Sequence, residues 1–380
     1  MKKHILSITL FLAGTISFVF AEQKTEKPDS LKEHRAVQVT FFTPMGTNGF
    51  MSHRVENTLS LNMLAGVSGG VTGLELGGLA NISTGNISGA QIAGLVNGSM
   101  GTVHGTQIAG ISNFNRWQFE GWQVAGISNM NTSDIKGAQL AGILNISTKS
   151  MTGSQLAGIA NFNAGDMKGA QISGILNVAP GEMTGVQAGL INIGRNVHGF
   201  QLGLINIADS IDGGVPIGLL SFVRNGYHAL ELEANETFYL NASFKTGTEK
   251  FYNIFTAGVV TRDDVPYWAF GLGLGTIVPL SEKMNIDVDV ISRHIYEERY
   301  WKRDTYGVNL INTLRLTASY GIGERLKVFG GPQLNVAVSG QKDETGQIVP
   351  VALARRGFFD YTGDRANVRM YAGFSAGIRF

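Results

Sequence analysis

The sequence predicts an all-β protein, in its simplest form an antiparallel membrane β-barrel of about 18–20 strands. Three observations carry that expectation. A glycine-led phrase returns every 16 residues from Gly73 onward. From Tyr227 to the C-terminus, apolar and polar residues alternate over stretches long enough to cross a bilayer. The chain also holds 51 glycines against 8 prolines, which suits closely packed strands and turns better than a Pro-rich disordered chain.

Taken in order, residues 1–21 read as a secretory signal peptide. Lys2 and Lys3 precede an apolar run from Ile5 to Phe20, and Val19-Phe20-Ala21 is a small-residue cleavage site. A polar segment, 22–36, follows. Loss of Lys2 and Lys3 takes the formal net charge from +1 to −1, so no basic field for nucleic acid is expected. Cysteine is absent, which excludes disulfides, a lipid-modified N-terminal cysteine and a thiolate metal site. No apolar run after the leader reaches the roughly 18 to 20 residues of a membrane helix.

Residues 37–72 supply the first strands. Thr58 to Leu64 alternates like a barrel strand and leads straight into the repeats of 73–220. There the unit is G-x-Q-[ILV]-[AS]-G-[IL]-x-N. Its anchors are Gln91, Gln107, Gln123, Gln139, Gln155, Gln171 and Gln187, with Glu75 one unit earlier and Gln201 at a shortened spacing of 14. Glycine stands two places before each anchor, and Asn81 to Asn177 close the phrase. Such glycines would weaken a helix, and the unit is too short for a helical hairpin. A strand and a turn fill the period instead.

Residues 221–380 alternate more cleanly. Trp268, Phe270, Leu272, Leu274 and Val278 oppose Tyr267, Ala269, Gly271, Gly273 and Gly275. Met284, Ile286, Val288 and Val290 oppose Asn285, Asp287 and Asp289. The last strand sets Val368, Met370, Ala372, Phe374, Ala376, Ile378 and Phe380 against Arg369, Tyr371, Ser375 and Arg379. Strands this long favour a lipid-facing barrel over a soluble sandwich. Phe251, Tyr252, Tyr267, Trp268, Tyr320 and Phe380 lie near strand ends, where an interfacial girdle wants aromatics.

The ending YAGFSAGIRF looks like the C-terminal signal of Gram-negative outer-membrane barrels. The repeated phrase, passing into GFQLGLINIA and GGVPIGLLSFVRNGYH, resembles a family of repeat-containing bacterial surface proteins. That resemblance implies an outer-membrane location. Its implied partners are membrane lipid and lipopolysaccharide, with the barrel-assembly machinery engaged through the last strand. It implies no activity.

Two architectures compete for the repeats. In one, each unit is a membrane strand of a single large barrel, with Gln171 and Asn177 lining its interior. In the other, each unit is a coil of a β-solenoid attached to a smaller C-terminal barrel, with Asn and Gln stacked in ladders on its surface. The absence of a two-strand period near 32 and the glycine on the lipid face favour the solenoid. The tight 16-residue coil and the smooth entry from Thr58 favour the single barrel, which is the expectation carried forward.

No catalytic, cofactor or metal site is expected. His34, His53, His104, His198, His228 and His294 are scattered without ligand spacing. Gly271 to Gly275 mimics part of a nucleotide loop, but no helix follows. RHIYEERYWKRD (293–304) and QKDETGQ (341–347) read as charged loops. Asp287, Asp289, Arg315, Lys327, Arg369 and Arg379 project to the polar side of the strands. They would either line a conducting lumen or pair with one another and stiffen the wall. The functional expectation is a non-enzymatic passive pore or structural surface protein; the alternative is a repeat-displaying surface adhesin or binding protein.

Overall fold

A computed structural model describes residues 33–297, 307–323, 325–343 and 345–380. The stretch expected to be a signal peptide, most of the polar segment and the second half of the 293–304 stretch lie outside the described residues. The described chain is all-β apart from one short 3-10 turn at Gly49–Arg54. It forms two separate sheets, a 22-stranded one and a nine-stranded one.

The single large barrel is not what forms. The repeats pair in parallel with their own kind at i+16, so that Gln139 lies opposite Gln155 and Gly153 opposite Gly169. They are coils of a β-solenoid. The 37–72 strands belong to it as well: Glu33–Phe42 pairs in parallel with Val55–Ser68, which pairs in parallel with Gly70–Gly77. The smooth entry at Thr58 therefore leads into coils and not into membrane strands. Each coil has a first strand such as Met167–Ser173, a corner at Gly174-Ile175, and a second strand beginning at Leu176.

Two features let 16 residues close a coil. Glycine at the phrase start takes a φ that side-chain-bearing residues rarely adopt, +131° at Gly169, and a Cβ there would lie 1.9 Å from the carbonyl oxygen of Gly153. The interior also needs little apolar volume. A single column carries the dry core, running from Val71, Ile87 and Val103 through Phe119, Ile135 and Met151 to Met167, Met183 and Val197.

Amides fill the remainder, and they are buried rather than displayed on the surface. Gln171 Nε2 donates to Gln155 Oε1 at 2.8 Å, and Gln155 Nε2 to Gln139 Oε1 at 2.8 Å. The asparagine column donates in the opposite direction, Asn145 Nδ2 to Asn161 Oδ1 at 2.9 Å, and also satisfies the backbone carbonyl of Leu156, near the end of a first strand, at 2.8 Å. Two opposed amide chains let the solenoid bury polar groups without a large net dipole.

The second sheet is the small barrel. Its strands Tyr227–Asn235, Leu240–Thr248, Phe251–Arg262, Val265–Pro279, Met284–Glu297, Asn309–Ile322, Leu326–Ser339 and Asn367–Arg379 pair antiparallel in sequence. The last strand closes onto the first, Leu232 opposite Ile378, while Phe359–Thr362 only adds an edge to the last strand. The alternation read from the sequence holds throughout: Leu314 and Leu316 are exposed outward, and Thr313, Arg315 and Thr317 are buried inward. Of the expected aromatic girdle, Trp268, Tyr320 and Phe380 do face outward, but Tyr252 and Tyr267 turn inward and are buried. Residues 293–297 continue a strand instead of opening a loop.

Candidate functional site

An eight-stranded barrel is just wide enough for side chains to fill it, and this one is filled by charge. Glu231, Glu233, Asp287 and Asp289 meet Lys245, Arg293, Arg315 and Arg379, all buried. Lys245 Nζ lies 2.9 Å from Glu231 and 3.0 Å from Asp289. Arg315 reaches Glu231 at 2.8 Å and also pairs with Glu233 and Asp289. Arg293 sits 3.0 Å from Glu233, and Arg379 sits 2.8 Å from Asp287. Tyr252 Oη donates to Asp289 at 2.7 Å. The carboxylates and cations balance one for one, which is the condition for burying charge without an uncompensated ion.

The GLGLG stretch makes room for this network. A Cβ on Gly275 would lie 2.1 Å from Asp289 Oδ1, and one on Gly271 would lie 2.8 Å from Arg293 Cγ. At the mouth where the connections are longest, the 348–358 segment folds inward. Val351 and Leu353 are buried against Phe238, Tyr267 and Tyr371.

Of the six charges singled out from the sequence, Asp287, Asp289, Arg315 and Arg379 come together in the interior and neutralise one another. Lys327 and Arg369 do not join them. Lys327 is half-buried near one rim, and Arg369 pairs with Asp360 at 2.7 Å near the other. Sequence reading missed Glu231, Glu233, Lys245 and Arg293. The signal was present: YHALELEAN alternates Leu230 and Leu232 with both glutamates, and Lys245 follows Asn241 and Ser243 on the polar side. In the charged stretch at 341–347, Asp343 accepts from the backbone amides of Thr345 and Gln347.

The solenoid meets the barrel through the open edge of its last rung. The Ser221 amide donates to Asn253 Oδ1 at 2.7 Å, Asn253 Nδ2 donates to Gly218 O at 2.8 Å, and Thr246 Oγ1 donates to Ser221 O at 3.3 Å. Thr246 and Asn253 are cross-strand partners on the outer wall, beside the inward-facing Lys245 and Tyr252. Phe222 then lies 5.3 Å from the His228 ring, which stacks 6.4 Å from Phe244 on the same wall. Among the described residues, no group of three or more His, Asp or Glu side chains is placed to hold a metal ion.

These features define a class: a parallel β-solenoid of short repeats carried on a small, closed, charge-filled antiparallel barrel. No protein-family model matches the chain, and no curated protein matches it.

Proposed function

We propose that this is a non-enzymatic membrane repeat protein in which the barrel is the anchor and the solenoid the binding surface. One observation carries the reading: the barrel is apolar on its outer wall and charged within. Trp268, Phe270, Leu314, Leu316 and Phe374 each leave about half their surface open on the outside, from 46% for Leu314 to 59% for Phe374, while the charges are paired inside. A water-soluble barrel would reverse that distribution, and a lipid-facing one requires it. The resemblance of the last strand to outer-membrane barrels supports the same location and an assembly partner that reads this strand.

The filled interior favours an anchor over a passive pore, and so a binding protein over a channel. Reconstituted in planar bilayers, the full chain should insert and show no stepwise conductance, and its folded form should migrate differently from the boiled form in gels. Steady single-channel steps would overturn the anchor reading. Unchanged migration after boiling would overturn the membrane barrel itself.

A further inference from the structure

Every solenoid rung has two outer faces, and they differ in kind. The start of the first strand carries a polar column, His104, Glu120, Lys136, Lys168, His198 and Asp212 in register, whereas its far end, next to the corner, exposes Ile108, Leu156 and Ile172. The column on the second strand is apolar and partly open, passing from Met130 through Phe162, Val178 and Ile193 to Phe222, with Ile146 buried among its neighbours. The adjoining corner adds Ile143, Ile159 and Ile175, each more than 40% exposed. At about 4.8 Å per rung this apolar face is on the order of 30 Å long, beyond what a monomer ordinarily leaves to water.

The junction sets where that face points. Thr246 and Asn253 project outward from the barrel wall, and they bind the open edge of the last rung. The stack of rungs therefore leads away from the wall, along the plane of any membrane the barrel spans. Within the last rung, Ser221 is buried toward the solenoid interior, while Phe222 turns the other way. It points toward His228 and Phe244, and Phe244 with its partner Leu230 lies two residues deeper into the wall than the junction pair. The apolar column thus runs continuously into the barrel's lipid-facing surface.

We infer that the solenoid lies along the bilayer, its apolar corner and second-strand face seated in the interface and the polar column at the start of its first strand turned to water. The rungs satisfy their backbone groups within the stack, so a β-face can do here what an amphipathic helix does elsewhere. The inference rests on the barrel being the membrane anchor.

The test uses the full chain, free of native cysteine, folded into phosphatidylcholine vesicles. Single cysteines carrying an environment-sensitive fluorophore are placed by M130C and I175C on the apolar side, K136C on the polar side, and L314C on the barrel wall. At 130 and 175 the emission should shift to shorter wavelength and be quenched by shallow spin-labelled lipid, while 136 stays water-like. Water-like emission at both 130 and 175 overturns the inference. So does emission that is shielded but not lipid-quenched, which would mean a second copy or another protein covers the face. Loss of lipid quenching at 314 instead overturns the anchor reading.

Discussion

Glu75 Oε2 accepts the Nε2–H of Gln91 at 2.7 Å, and so a carboxyl terminates a chain of buried glutamines that all donate toward it. Its other oxygen accepts from Asn62 at 3.1 Å. Burial pushes the Glu75 carboxyl above its ordinary range, and the amide donors only partly oppose this. A folded-state value above the unfolded one means stability is greatest in acid and falls as pH rises from the unfolded carboxylate range through the folded value. Glu75→Gln should raise the solenoid's thermal midpoint at neutral pH and flatten its fall with rising pH. Melts followed by circular dichroism from acid to neutral pH check this, and an unaltered pH slope would refute it.

The amide columns predict a directional cost. Gln139 accepts from Gln155 and donates to Gln123. Gln139→Leu removes both bonds, leaving Gln155 Nε2 only the 3.4 Å contact to Phe162 O and Gln123 Oε1 only the Asn131 amide, at about 0.5–1.5 kcal/mol for each bond lost. Chemical denaturation should show the solenoid transition at lower denaturant, with the barrel's heat-modifiable migration unchanged.

Backbone geometry is as demanding as the amides. Gly169→Ala forces a Cβ into the Gly153 carbonyl at a φ of +131°, with strain of at least roughly 1–3 kcal/mol. Ala170→Ser, at the half-exposed position beside it, should leave the melt as it was.

Inside the barrel, Arg315 touches three carboxylates, Glu231, Glu233 and Asp289. Arg315→Met leaves them undercompensated, and breaking such a buried pair costs about 3–5 kcal/mol. The fast-migrating folded band should disappear at lower urea than in the parent chain, and conductance should stay absent because Val351, Leu353 and Ala354 still pack inside the mouth.

Barrel polarity predicts sidedness. The solenoid joins at the mouth whose connections are the short 249–250, 280–283 and 323–325, while 298–308 and 340–366 lie at the other. In barrels of the outer-membrane type short turns face inward to the periplasm. An impermeant maleimide on intact cells should label G346C and spare K136C, and the reverse pattern would place the solenoid outside.

Much of this was legible. The inward and outward faces of the last strand, from Arg369 and Tyr371 to Phe374 and Ile378, follow from side chains alternating along a strand. The repeat register follows from the 16-residue spacing, but not which way its amides face in a coil, where Gln171 and Asn177 were expected on the surface and are buried. What misled was the choice of partner for each strand, since a glutamine repeated every 16 residues suits a barrel strand and a coil equally. The glycine two places before it held the missing signal. A lipid wall has no use for a Cβ-free residue at that spacing, whereas a parallel coil needs one wherever backbone passes under the carbonyl of the rung before, as at Gly169 over Gly153.

The sequence by itself determined that the chain is built of strands, where they turn, and which side chains share a face, because these depend only on local period. Only the tertiary structure decided that Gln155 bonds Gln139 across 16 residues in parallel, and that Arg315 and Glu231 close against each other across 84. It also decided that the last rung binds Asn253 on the outer wall. Pairing is a contest among distant partners with similar local appeal, and it is settled by which arrangement satisfies all the buried amides and charges at once.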